Sequence, residues 1–354
     1  MKTRIFSLLL ALVMLANITA CGFDPQNSSE ATVTFTDDAG REVEIPAEIS
    51  AIVPAGALAQ MILFTIAPDM LVGLSSKWNA GASGIIDQKY MDLPYLGQLY
   101  GSADMNVEEL ALTAPQLIID IGEDKASVAE DMDKLQQQTM IPTVFISSTL
   151  ESMPETYRTL GKLLGREEKG EELAKFCERI YTRTEAIMEE VGDKKVNALY
   201  VLGEEGLNVL AKTSYHAELL DMLTNNLAVV ESPLSKGSGN AVSMEQIALW
   251  NPDFVIFAPD SIYDTVNERA AWSEISAIVN KHYVEVPDAP YNWMSMPPAV
   301  QRYLALIWLP AVLYPDYCNY DAKAEIMEYY QLFYGCVLTE EQYNAITANA
   351  FLGD

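Results

Sequence analysis

Two segments 137 positions apart carry the same residue pattern, and this repeat constrains the fold more than any other feature of the chain. Asn106-Val107-Glu108-Glu109-Leu110-Ala111-Leu112-Thr113-Ala114-Pro115-Gln116-Leu117-Ile118-Ile119 aligns without a gap on Ser243-Met244-Glu245-Gln246-Ile247-Ala248-Leu249-Trp250-Asn251-Pro252-Asp253-Phe254-Val255-Ile256. In each copy Asn106 or Ser243 is placed as an N-cap, and Glu109 or Gln246 stands three residues on, where a capping-box partner belongs. A short amphipathic helix follows, a proline ends it, and the apolar run after the proline predicts a buried strand. One helix–proline–strand unit in each half predicts two lobes of the same build.

The flanking segments alternate in the same way. In the first half, Ile52-Val53 leads into a helix over 57–66, followed by strands at 71–74, 117–121 and 143–146 and a helix around 126–138. In the second, strands at 197–202, 207–210, 254–257 and 283–286 accompany a helix over 214–223 and the repeat helix. This order predicts an α/β fold of two Rossmann-like lobes, each with a central parallel sheet covered on both faces. Between them residues 154–191 read as helical, broken at Gly165, with Leu173, Phe176, Cys177, Ile180, Ile187, Met188 and Val191 at helical spacing. A helix from Glu168 to Val191 is about 36 Å long, enough to join both lobes. The expected domains are an N-terminal lobe over 32–153, a connecting helical region over 154–192 and a C-terminal lobe over 193–354. One long helix resists hinge bending, so modest lobe motion is expected.

Residues 1–20 read as a targeting segment. Lys2 and Arg4 precede an apolar run over 5–15 that is too short for a permanent span, which takes about 20 apolar residues. The junction Ile18-Thr19-Ala20-Cys21 resembles the lipobox of bacterial lipoproteins, which implies cleavage before a lipidated Cys21; a soluble secreted protein cut near Ala20 is the alternative. Residues 21–31, polar and holding Pro25, Ser28 and Ser29, then form a tether. Cleavage leaves 20 basic against 50 acidic side chains, a formal charge of −30. That charge argues against a nucleic-acid partner and makes a covalent lipid a better anchor than a basic patch. The other cysteines, Cys177, Cys318 and Cys336, have no CxxC spacing and indicate neither a zinc ribbon nor a disulfide framework. Cys177 falls on the apolar side of the connecting helix, while Cys318 and Cys336 either pair or remain thiols.

Together these features resemble the cluster of periplasmic binding proteins that serve iron-siderophore, haem and vitamin B12 importers, whose two lobes are joined by one long helix. The likeness covers nearly the whole mature chain. Thr36-Asp37-Asp38-Ala39-Gly40-Arg41-Glu42-Val43 is similar to the family's opening hairpin and Leu71-Val72-Gly73 to its second strand. Gly206-Leu207-Asn208-Val209 with Ser214-Tyr215-His216-Ala217-Glu218 resembles the start of the second lobe. Trp308-Leu309, Leu313-Tyr314-Pro315 and residues 329–335 resemble the C-terminal helices. The order of these motifs carries the resemblance. It implies a substrate-binding protein, not an enzyme and without a cofactor, that captures a metal chelate such as a ferric siderophore, haem or a cobamide and delivers it to an ABC permease dimer with its ATPase. It also implies an acidic residue on each lobe that docks with permease arginines. Through the repeat these are Glu108 and Glu245, although a first-turn glutamate also stabilises its own helix by about 0.3–1 kcal/mol.

Ligands of such folds sit at the carboxyl ends of the strands, between the lobes. The expected ligand-binding residues are Lys77, Trp78, Tyr90, His216, Trp293 and Arg302. Aromatic rings suit a flat chelate face, cations suit carboxylate or catecholate oxygens, and His216 is a candidate axial ligand. Tyr95, Glu204, Glu205, Lys212, Asp260, Tyr263, Tyr291 and Met294 occupy neighbouring loops. Each aromatic has a plain alternative as a half-buried loop side chain, and His216 as a polar residue at a helix start. The two histidines, His216 and His282, are fewer than the several that bare zinc or manganese sites use. Three other readings stay open: an oxyanion such as molybdate, with residues 236–239 supplying backbone donors; a lipid-anchored enzyme, despite the lack of GxSxG, HExxH or a P-loop; and a sensory module.

Overall fold

The computed structural model describes residues 31–99, 105–234, 237–259 and 261–352. The targeting segment, Cys21 and the tether up to residue 30 lie outside these residues, as do Lys236 and Asp260. The chain opens with an antiparallel hairpin of β1 (Thr32–Thr36) and β2 (Glu42–Pro46). Asp37 closes its turn, accepting from the amides of Ala39 and Arg41 and pairing with the Arg41 guanidinium at 2.9 Å.

In the first lobe β3 (Ile52–Pro54), β4 (Leu117–Gly122) and β5 (Thr143–Ser147) form a parallel sheet in the order β3-β4-β5. Its helices are α1 (Ala57–Ile66), α2 (Gln88–Met91), α3 (Val107–Thr113) and α4 (Val128–Thr139). The strand expected at 71–74 is reduced to isolated parallel bridges, Ile52 with Leu71 and Leu74 with Tyr95.

The connecting region is a helical hairpin, α5 (Met153–Leu164) and α6 (Glu167–Val191), turned at Gly165 with φ 63°. The two helices approach through Gly161 and Gly170. A Cβ on Gly170 would stand 2.6 Å from the Tyr157 carbonyl oxygen, so only glycine allows this crossing. The apolar row expected on α6, from Leu173 to Val191 with Cys177 among it, is buried. Cys318 and Cys336 are half-buried free thiols.

In the second lobe the strands are β6 (Asn197–Leu202), β7 (Asn208–Val209), β8 (Asn225–Asn226), β9 (Asn240–Ala241), β10 (Phe254–Phe257) and β11 (Tyr283–Glu285). The order β11-β10-β6 is parallel, and β7 and β9 extend it antiparallel. The segment at 207–210 runs antiparallel because Gly203 and Gly206, at φ 79° and 67°, reverse the chain tightly after β6. The helix expected over 214–223 divides into a 3-10 turn at Tyr215–Ala217 and α7 (Glu218–Leu223). The remaining helices are α8 (Met244–Trp250), α9 (Ser276–Val279), α10 (Arg302–Leu313), α11 (Ala322–Tyr334) and α12 (Glu340–Ile346).

The repeat holds to the residue. Helices α3 and α8 begin and end 137 positions apart, and each feeds a strand with a parallel partner on either side, β4 or β10. Asn106 caps the amides of Glu108 and Glu109, and Ser243 caps that of Gln246. Both helices stop on a left-handed residue, Ala114 or Asn251, ahead of the proline.

One apolar cluster runs from Ile62 and Phe64 in the first lobe through Leu173, Cys177 and Ile180 of α6 to Leu220 and Trp308 in the second. Helix α11 returns across the connecting hairpin: Phe333 packs on Tyr157 and Phe176, and Tyr334 lies 6.5 Å from Phe64. Separating the lobes would expose these rings to water, which opposes wide hinge opening.

Candidate functional site

A cleft of about 790 Å³ lies between the lobes at the carboxyl ends of the parallel strands. The first lobe lines it with Gly56 to Leu58 at the start of α1, Ser76, Lys77, Gln98, Lys125 and the end of β4 from Asp120 through Gly122 to Glu123. The second lobe contributes Tyr215, His216, Gly237, Ser238, Tyr291 and the run Met296-Pro297-Pro298. The volume falls within the roughly 300–1,000 Å³ of sites that enclose organic ligands.

Bonds between the lobes hold the floor in register. The Tyr215 hydroxyl donates to the Ser148 carbonyl at 2.7 Å, and the Tyr303 hydroxyl donates to the Leu150 carbonyl at 2.6 Å. The Leu150 amide donates to Glu218 Oε1 at 3.0 Å, and Glu218 Oε2 pairs with Arg302 Nη1 at 2.7 Å. Burial pushes the Tyr215 and Tyr291 phenols up to about 12, so both stay protonated donors across the physiological range.

Among the expected ligand residues, the fold brings Lys77 and His216 to the cleft. His216 Nδ1 is 2.9 Å from the Ser295 carbonyl, a contact that places the proton on Nδ1 and leaves Nε2 as the acceptor nitrogen. Burial lowers its pKa below the usual histidine value, with the Ser295 contact opposing, so the ring is neutral at pH 7. A neutral imidazole held through its other nitrogen by a carbonyl is the form that ligates metals.

The other four residues stand elsewhere. Trp78 is a core side chain wedged against Phe64 and Tyr291, with Nε1 donating to the Tyr90 carbonyl at 3.3 Å. The Tyr90 ring packs on Phe64 and under the Lys89 ammonium. Trp293 is fully buried beside Trp308 and Tyr330. Arg302 is also fully buried, behind the cleft wall, with its guanidinium 5.4 Å from the Tyr215 ring. The loops after Leu74 and after β11 do reach the cleft, through Ser76 and Lys77 and through Tyr291 and Met296, but Trp78 and Trp293 on the same loops turn into the core.

Asp120 is the residue that sequence reasoning missed. It lies inside β4, 6% exposed, and lines the cleft. Burial raises its carboxyl from 3.8 to about 7, against the lowering effects of the Ile121 amide and Lys125. A signal was present: an aspartate inside an apolar run destined for a central strand is costly to bury without a use. Its counterpart in the repeat, 137 positions on, is Phe257.

Glu108 and Glu245 are exposed in the first turns of α3 and α8. The Glu245 carboxyl is held below its usual range by its own amide and the Ser243 hydroxyl.

A periodic pairing of lobes around such a cleft defines a solute-binding class, and comparison with known proteins agrees. The family model of periplasmic binding proteins matches residues 79–290, more than half of the chain. The chain belongs to the periplasmic binding protein family, which carries with it an extracytoplasmic location and the capture of a small solute. An ABC transporter solute binding protein from Sulfurospirillum deleyianum is 26% identical over 89% of this chain and 99% of its own, with a TM-score of 0.82. The molybdate periplasmic binding protein MolA of Haemophilus influenzae, bound to molybdate, is 18% identical over 87% of this chain and 99% of its own, at 0.69. The periplasmic catecholate-siderophore binding protein VctP from Vibrio cholerae is 19% identical over 78% and 99%, at 0.58. The latter two likenesses are of fold. Comparison with curated proteins gives no match.

Proposed function

We propose that this chain is the lipid-anchored substrate-binding protein of an ABC importer and that it captures a metal chelate in the interlobe cleft. The observation that carries the chelate is the cleft itself: about 790 Å³, with one acceptor imidazole, the phenol of Tyr291, the ring of Tyr215 and the cations Lys77 and Lys125. That volume suits an organic ligand many times the size of a bare ion, and the donors suit the oxygens and the metal of a chelate. Among the described residues no three histidine, cysteine, aspartate or glutamate side chains are grouped to hold a naked metal ion. The lipid on Cys21 and the tether over 21–31 leave the lobes of 32–153 and 193–354 free to meet a permease dimer, with Glu108 and Glu245 as its docking carboxylates. An oxyanion is the second reading, favoured by Gly237 and Ser238 beside Lys77 and Lys125.

Titration of the soluble body with ferric catecholate and hydroxamate siderophores, haemin, cobalamin and molybdate separates these readings. Trp78, packed on the cleft residue Tyr291, is the fluorescent reporter. The expected result is saturation by at least one chelate with Kd below about 10 μM, equivalent to roughly −7 kcal/mol. If the chelate is haem or a cobamide, His216→Ala is expected to weaken it at least about 10-fold and to shift the metal's absorption band. Binding through that ring is present above its lowered pKa and is lost as pH falls through it. Saturation by molybdate alone would transfer the assignment to an oxyanion, and no saturation by any of them would end both readings.

A further inference from the structure

The outward faces of α3 and α8 are more alike than their inward faces. Within the two helices the positions exposed in both copies hold identical residues: Glu108 and Glu245, Ala111 and Ala248, Leu112 and Leu249. The remaining positions, each buried or half-buried in at least one copy, all differ: Val107 and Met244, Glu109 and Gln246, Leu110 and Ile247, Thr113 and Trp250. Fold stability alone produces the opposite pattern, because surface substitutions away from caps usually change stability by no more than about 0.5 kcal/mol. Leu112 is 80% exposed and Leu249 78%. One exposed leucine needs no explanation. Two at the same register of a repeat, each one turn beyond an exposed glutamate on the same helix face, share a cause outside the fold. The alanine between them keeps that face low enough for a close approach.

We propose that Leu112 and Leu249 are apolar anchors that seat in a pair of recesses on the importer's permease dimer, each recess flanked by a basic group that meets Glu108 or Glu245. The inference rests on the docking reading given above. The face is presented twice by one chain, so its partner presents the complementary surface twice, as a dimer of permease subunits does. The exposed carboxylate beside each leucine calls for a cation beside each recess.

The test measures binding of the ligand-free body to its permease–ATPase complex in lipid nanodiscs, for wild type, Leu112→Gln with Leu249→Gln, Glu108→Gln with Glu245→Gln, and the exposed control Met140→Gln. Thermal melts confirm that each variant is folded, and a photo-reactive residue at 112 or 249 identifies the contacted chain by mass spectrometry. The expected result is that the leucine pair weakens the complex at least about 10-fold per leucine, as loss of a buried leucine does, while Met140→Gln leaves it unchanged. Adducts are expected on permease subunits. Wild-type binding by the leucine variant, with loss in the glutamate variant, overturns this inference and leaves the docking reading intact. Wild-type binding by both overturns both. Adducts with a second copy of this chain, together with self-association lost in the leucine variant, make the face a homodimer contact and overturn the proposal.

Discussion

Replacing Glu218 with alanine is expected to destabilise the protein by about 3–5 kcal/mol, the usual cost of leaving a buried charge without its partner. Arg302 is 0% exposed, and Glu218 Oε2 lies 2.7 Å from its Nη1. Its Nε and Nη2 have no hydrogen-bond partner within the protein, so the guanidinium depends heavily on this one carboxylate. The other oxygen of Glu218 accepts from the Leu150 amide, so the same substitution also breaks a bond between the first lobe and the second. Arg302→Met removes the buried charge instead of orphaning it and is expected to cost clearly less. Urea unfolding of the two variants checks the order. A larger loss for Arg302→Met than for Glu218→Ala would show that the guanidinium contributes through packing rather than through its charge.

The second large effect concerns Asp120 and depends on pH. Its carboxyl titrates near 7 in the folded protein against 3.8 ordinarily, so the native state holds this proton more tightly than the unfolded chain. The stabilisation is therefore fully present below about pH 4 and is lost progressively as pH rises through 7. At about 1.4 kcal/mol per pH unit between the two values, the cost reaches at most about 4 kcal/mol above pH 8. Asp120→Asn mimics the protonated form. It is expected to match wild type near pH 4 and to exceed it in stability at pH 8.5 by an amount of that order. Denaturant midpoints measured across pH 4–9 decide the matter: a variant that parallels wild type at every pH would mean that Asp120 is solvated in its charged form. The same carboxyl faces the cleft, so above pH 7 it adds a negative charge there that an anionic chelate must meet.

Much of this architecture was written locally. The N-caps, the prolines and the apolar runs of the repeat depend on contacts within a few residues, and α3 and α8 fall where those signals put them. The antiparallel turn into β7 hinges on Gly203 and Gly206, whose left-handed conformations become evident only once the chain is folded. The cleft was legible in part. Lys77 and His216 line it, whereas Trp78 and Trp293 were drawn into the core by the same apolar area that made them attractive as ligand contacts.

By itself, then, the sequence determined the two-lobe α/β plan, the helical connection and the matched positions of Glu108 and Glu245, because each follows from short-range periodicity and from a repeat within the chain. Only the tertiary structure decided which loop side chains face the cleft and which are buried. It also decided that α11 returns to the first lobe, and that Arg302 depends on Glu218, 84 positions away. Those outcomes are set by packing between distant segments. An aromatic or an arginine on a loop has the same local pattern whether it meets a ligand or another part of the chain.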